Sequence, residues 1–162
     1  MAPYLHLRLA DEHDVAMIFE WRNSPFILQR GSSQRVVSWE EHQAWFTKSV
    51  SSRETRLIFI ILADNTPIGQ VRFDREGKDD MQAVISAYVL AEYTGKGYGV
   101  RSIMLGCEAV VPYWSNVRSL LACVRMSNEQ GQSGFTKAGF KRVPDALCEE
   151  EHFSYLFEIS SI

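Results

Sequence analysis

The sequence predicts a mixed α/β (α+β) fold, one mostly antiparallel sheet with helices flanking it. Three observations carry that reading. The β-branched and aromatic runs Arg56–Ala63, Pro67–Arg75 and Met81–Leu90 follow one another with only the turns Asp64-Asn65-Thr66-Pro67 and Gly77-Lys78-Asp79-Asp80 between them, the pattern of an antiparallel meander. Amphipathic segments with capping signals lie before and after it. A strand, a glycine-rich turn, a helix and a strand follow in order from Met81 to Met126, a crossover unit whose two strands run parallel.

Tyr4–Ala10 alternates apolar with polar residues and reads as a first strand with one solvated face. Asp11 or Asp14 supplies an N-cap, and Val15, Ile18, Phe19, Trp21 and Arg22 follow at helical spacing until Asn23-Ser24-Pro25 stops the helix. Phe26–Val37 is polar and irregular. Ser38-Trp39-Glu40-Glu41 has the form of a capping box and opens a second helix with Trp39, His42, Trp45 and Phe46 on one side. After the meander, Val100, Ile103, Met104, Cys107 and Val111 mark a third helix. Ser119–Met126 is a buried strand, Asn128–Ala138 a short helix closed by Gly139, and Phe153–Ile159 a last strand. The expected order is β-α-α-β-β-β-α-β-α-β. No repeat or Pro/Ser linker interrupts it, so residues 1–162 are expected to form a single domain.

Composition narrows the function classes. The chain has 162 residues, 46% apolar and 23% charged, with a net charge of −3. That balance argues against an electrostatic grip on nucleic acid or an anionic membrane. The longest apolar run, Leu57–Ala63, is too short to span a bilayer, and MAPYLHLRLADEHD lacks the pattern of a signal peptide. Cys107, Cys123 and Cys148 are far apart with no CxxC pair, so reduced thiols in a cytoplasmic protein are expected, with no disulfide framework and no metal site. A homodimer is compatible with all of this.

The most informative passage is Ala91-Glu92-Tyr93-Thr94-Gly95-Lys96-Gly97-Tyr98-Gly99. Glycines here let the backbone take positive φ and approach a ligand, and successive amides at a helix start form an anion site suited to phosphate. The same spelling also serves a plain turn that holds no ligand. A Walker A loop is excluded because Val100-Arg101 follows Gly99, and a dinucleotide fingerprint is excluded because the glycines follow a meander.

On these residues the chain resembles the GNAT superfamily of N-acetyltransferases. Thr94-Gly95-Lys96-Gly97-Tyr98-Gly99 matches that family's Q/R-x-x-G-x-G/A signature, with Thr94 where Gln or Arg is usual. Val124-Arg125-Met126-Ser127-Asn128 followed by Phe135-Thr136-Lys137-Ala138-Gly139-Phe140 resembles its second anchor. The resemblance implies acetyl-CoA as co-substrate, wedged where the strand ending at Val89-Leu90 splays from Leu120–Met126. It implies that amides near Val89 and Leu90 bond the pantetheine and the thioester oxygen. The pyrophosphate would lie on Thr94, Gly95, Lys96, Gly97, Tyr98 and Gly99, with Asn128 and Phe135 on the other side.

Two usual catalytic side chains are missing. Many family members carry Tyr where this chain has Phe135, and several carry Glu where it has Cys123, which reads as a buried apolar residue. Tyr93, Ser133 and His42 are the candidate acid–base groups, with Tyr98, Glu92 and Asp74 behind them, and loss of the amine proton to water is an equal alternative. Glu20-Trp21-Arg22-Asn23 and Ser38-Trp39-Glu40-Glu41-His42-Gln43-Ala44-Trp45-Phe46 are similar to a branch holding the nucleotide-amino-sugar acetyltransferases of the pseudaminic acid pathway and the ribosomal-protein N-terminal acetyltransferases. The acceptor-binding candidates are Trp21, Arg22, Asn23, Arg30, His42 and Arg72, joined by Arg35. Competing readings put the tryptophans in the core, His42 as a packed residue and Arg30 and Arg35 in solvent. The acceptor expected is a small-molecule amine, best a nucleotide-linked amino sugar. A protein N terminus or small amine is the alternative, and a silent acyl-CoA-binding domain the second alternative.

Overall fold

The computed structural model describes residues 1–31, 33–144 and 147–159. Among the described residues seven strands form one sheet in the order β1-β2-β3-β4-β5-β7-β6. They are β1 (Leu5–Leu9), β2 (Arg56–Ala63), β3 (Thr66–Asp74), β4 (Gln82–Val89), β5 (Ser119–Arg125), β6 (Lys141–Val143) and β7 (His152–Glu158). Every pairing is antiparallel except β4 with β5, the parallel pair expected of the crossover. The helices are α1 (Val15–Asn23), α2 (Pro25–Arg30), α3 (Trp39–Ser51), α4 (Tyr98–Ala109) and α5 (Glu129–Lys137). No helix among the described residues is long and apolar enough to cross a membrane.

β2 shows why its sequence is an unbroken apolar run. Leu57, Phe59, Ile61 and Ala63 join the larger core, shared with residues of α4 and α5, whereas Ile58, Ile60 and Leu62 join a second core with Ile18 of α1 and Phe46 of α3. Both faces of this strand are covered, so alternation disappears. β1 carries a related debt. Arg8 donates to both carboxylate oxygens of the buried Asp14 at 2.8 Å. Burial works against the Asp14 charge, but Arg8 and the Asp11 amide more than offset it and hold the carboxyl below its ordinary value.

Three expectations need correction. The stretch Phe26–Val37 is not wholly irregular: Pro25 occupies the first turn of α2, where its missing N–H costs nothing, so the proline starts a helix as well as ending one. β6 was not foreseen; three residues on the sheet edge carry almost no periodic signal. Cys123 and Cys148 are joined in a disulfide, so only Cys107 matches the expected reduced thiol, and Cys123 is no buried apolar residue. Cys123 lies on β5 and Cys148 in the loop before β7, and the β5–β7 pairing brings together sulfurs separated by 25 residues. Burial pushes the thiol of Cys107 up to about 12.

The capping box at Ser38 is half realised. The Ser38 hydroxyl accepts from the Glu41 amide at 3.2 Å, but the Glu41 carboxylate turns away to Arg35 at 2.8 Å.

Candidate active site

The crossover pair separates. β4 and β5 pair only over Gln82–Val84 with Ser119–Leu121, and β4 then runs on to Val89 while β5 runs on to Arg125 without pairing with it. A cavity of about 740 Å³ fills the wedge, walled by Tyr88 and Val89 on one side and Cys123 and Val124 on the other. Gly69 on β3 makes the narrow side possible: a Cβ there would lie 2.2 Å from the Tyr88 carbonyl oxygen of β4. The sequence reading passed over this glycine, whose only signal is its place inside a strand.

Backbone direction separates two neighbouring residues. The Leu90 N–H donates to the Ile68 carbonyl at 2.8 Å, so it is spent on β3. Antiparallel ladders alternate, and the Val89 N–H therefore faces the open wedge. Of the two amides expected at the thioester, only that of Val89 is available; Leu90 does not line the cavity.

The glycine turn stands at one end of the wedge. Gly95 and Gly97 have φ of 76° and 80°, and an added Cβ at Gly95, Gly97 or Gly99 would meet no protein atom within 4 Å. The first bond of α4 runs from the Arg101 N–H to the Gly97 carbonyl at 3.2 Å, and no side chain caps the helix. The amides of Gly97, Tyr98, Gly99 and Val100 thus have no intrahelical acceptor. The Thr94 hydroxyl is turned inward onto the Ala91 carbonyl at 2.8 Å. A cradle of bare amides with open space above it fits an anionic pyrophosphate. Gly95, Gly97, Gly99 and Thr94 border the cavity, as do Asn128, Ser133 and Phe135 across it; Lys96 and Tyr98 do not. Asn128 spends its side-chain oxygen on the Gly131 amide at 3.0 Å, fixing the start of α5.

The other end collects the upstream motifs. Arg22, Arg30, Arg35 and Arg72 border the cavity. Trp21 does not; it packs edge-on behind Tyr88 with centroids 6.3 Å apart. Asn23 is also elsewhere, holding both the N–H and the carbonyl of Val37 at 2.9 and 2.8 Å and so closing the loop onto α1. His42 is fully buried among Phe19, Trp39, Trp45 and Phe46 and has no face on the cavity. Its Nε2 donates to the Val15 carbonyl at 2.8 Å, which leaves Nδ1 as an acceptor for Arg22 Nη1 at 3.4 Å. Burial first, and Arg22 second, hold the imidazole below its ordinary pKa. Tyr93 is packed against the core beside the turn, with Lys96 Nζ 5.9 Å from its ring, and stands outside the cavity too. Of the three acid–base candidates, Ser133 alone reaches it.

Sequence reasoning missed Gln70, whose buried Oε1 has no hydrogen-bond partner among the described residues and which borders the cavity together with Tyr88 and Ser102, whose hydroxyls are equally unpartnered among them. Nothing in the local pattern marks these three, because the sheet and α4 must first form to bring them together. Burial raises the Tyr88 phenol above its ordinary pKa. Among the described residues no Asp, Glu or His borders the cavity, and none form a group able to hold a metal ion.

A splayed parallel pair, an amide cradle at the helix that follows, and a polar pocket beyond define the class of protein that binds an acyl-CoA and presents its thioester to a nucleophile. Residues 4–141 match the acetyltransferase (GNAT) domain, and the chain belongs to that family; it is an acetyl-CoA-dependent N-acetyltransferase. Among curated relatives it is similar to an aminoglycoside N(6')-acetyltransferase type 1 of Klebsiella pneumoniae, 25% identical over 84% of this chain and 73% of the relative. Among solved structures it is similar to the aminoglycoside acetyltransferase AAC(6')-Ib with coenzyme A and kanamycin, with a TM-score of 0.81, 22% identity, and 96% and 95% of the two chains covered. It is also similar to RimL, a ribosomal alpha-N-protein acetyltransferase in complex with coenzyme A, with a TM-score of 0.80, 18% identity, and 98% and 96% covered.

Proposed function

We propose that this acetyltransferase moves the acetyl group onto a primary amine of a small molecule, and that this amine belongs to a nucleotide-linked amino sugar. The observation that carries the reading is the continuity of one cavity from the amide cradle of Gly95–Gly99 to Arg22 and Arg72. Acetyl-CoA brings the activated thioester; the cradle holds its pyrophosphate, and the inward-facing Val89 amide supports negative charge on the thioester oxygen. The amine nitrogen bonds to the acetyl carbon, the C–S bond breaks, and the thiol leaves as coenzyme A. Among the described residues the wedge offers no carboxylate or imidazole to take the amine proton, which favours its loss to water. The arginines help, because positive charge disfavours the ammonium form.

A protein N terminus or another small amine is the second reading, favoured by the acceptors of the related enzymes named above. Release of free coenzyme A, assayed with UDP- or dTDP-linked amino sugars against peptides and polyamines, tests the choice. Turnover confined to peptides or polyamines refutes the amino-sugar reading.

A further inference from the structure

The far end of the cavity is built around one ring. Three guanidinium groups surround Trp45 of α3: Arg22 at 5.0 Å, Arg56 at 5.2 Å and Arg72 at 5.5 Å from the ring centroid. They come from α1, β2 and β3, so only the tertiary fold assembles them. Among the described residues, one carboxylate is ion-paired with the group. Asp74 accepts from Arg56 Nε and from Arg72 Nε, which leaves the cluster with two positive charges in excess.

Arg22 is the member that no carboxylate pairs with among the described residues. It is half-buried, makes no ion pair among the described residues, and meets only the neutral Nδ1 of His42 and the Trp45 face. Burial first and Arg72 next work against its charge, and Tyr88 and Glu41 support it without restoring its ordinary value. A guanidinium left in that condition costs stability unless something negative visits it. The cavity border holds Arg22, Arg30, Arg35, Arg72 and Lys137 and no carboxylate among the described residues. Three of the arginines are spoken for elsewhere: Arg30 on the Phe26 carbonyl, Arg35 on Glu41, and Arg72 in part on Asp74.

We infer that the acceptor carries an oxyanion, a phosphate or carboxylate, at some distance from its amine, and that Arg22 and Arg72 bind it over Trp45. This rests on the acetyl-transfer reading and names the group on the acceptor, and the residues of this chain, that recognition depends on. Two guanidinium groups from different elements present several N–H donors to one anion, the geometry in which arginine exceeds lysine. His42 is then a positioning residue. Its Nε2–H is anchored to Val15, so its Nδ1 lone pair orients Arg22 Nη1 and leaves the remaining guanidinium donors for the ligand. The same field excludes polycations, in contrast to the kanamycin bound by the related enzyme.

The test uses the full chain with saturating acetyl-CoA, and wild type beside Arg22→Gln, Arg22→Lys and Arg72→Gln. Coenzyme A release is measured with a UDP-linked amino sugar, with glutamate as the carboxylate arm, and with kanamycin and spermine as cationic arms. The expected result is turnover of an anionic amine, a KM raised about ten- to a hundredfold in Arg22→Gln with kcat within about twofold, and partial rescue in Arg22→Lys. The diphosphate and carboxylate arms separate the two anion sources. In parallel, inorganic pyrophosphate is titrated calorimetrically into coenzyme-A-saturated protein, where the glycine cradle is already filled. Wild type should bind it and Arg22→Gln should not, with both melting at similar temperatures. Efficient turnover of kanamycin or spermine that Arg22→Gln leaves intact or improves overturns the inference, as does wild type that ignores pyrophosphate. Pyrophosphate binding that depends on Arg22, with the UDP-linked amino sugar not turned over, supports the anion site and sinks the amino-sugar reading alone.

Discussion

Gly97 and Gly99 sit two residues apart on the same turn, yet alanine at each should move stability in opposite directions and affinity in the same one. Gly97 has φ of 80°, a conformation that costs a residue with a Cβ about 1–2 kcal/mol. Gly99 has no such φ and lies in the first turn of α4, so alanine there removes unfolded-state freedom and contributes about 0.4–1 kcal/mol. For a chain of this length each kcal/mol shifts Tm by about 2–4 °C. Gly97→Ala should therefore lower Tm by roughly 2–8 °C and Gly99→Ala should raise it by roughly 1–4 °C. Neither new methyl meets a protein atom within 4 Å, so both enter the space where the pyrophosphate would come down on the amides. Losing even one charge-assisted hydrogen bond weakens binding by about 1.5–3 kcal/mol, or roughly ten- to a hundredfold in Kd. Differential scanning calorimetry gives the Tm values, and isothermal titration with acetyl-CoA gives Kd. A Gly99→Ala protein that melts higher and binds acetyl-CoA as tightly as wild type would refute the cradle.

Three further outcomes are expected. Phe135→Tyr adds a hydroxyl on the cavity side of α5 and should raise kcat with unchanged acetyl-CoA affinity; a fall in kcat means that the departing thiolate draws its proton from elsewhere. Cys148→Ser opens a loop of 25 residues and should lower stability by roughly 3.5 kcal/mol on loop entropy, a Tm loss of about 7–14 °C that reductant reproduces in wild type; no difference between oxidised and reduced melts rules this out. Stability should fall on acidification in two windows. The folded pKa of His42 lies below 6.5, so its contribution is complete above 6.5 and declines as the unfolded chain takes up protons below it. Asp14 contributes above 3.8 and that contribution is lost as pH falls further through its lowered folded pKa. Melts of His42→Gln against pH should lack the first decline; a decline identical to wild type assigns it to other groups.

Local pattern was enough for much of the fold. The apolar run of β2, the turns of the meander and the serine cap at Ser38 are written in neighbouring residues, because strand period, turn chemistry and capping act over a few positions. The glycines at 95, 97 and 99 were legible for the same reason: a backbone that must turn and approach an anion leaves its requirement in the residues that form it. The upstream motifs were visible as residues and opaque as roles. Asn23 and His42 were expected at the acceptor and instead hold Val37 and Arg22, since a polar side chain reads the same whether it meets a ligand or its own backbone. Only the packed molecule separates the Val89 amide from that of Leu90, joins Cys123 to Cys148, and draws Arg22, Arg56 and Arg72 from three elements around Trp45. Those facts depend on ladder parity and on contacts between distant segments, and no local pattern encodes either. The chain by itself determined what kind of surface each segment would present; the closing of the sheet decided which surfaces meet, and so which charges are left facing the cavity.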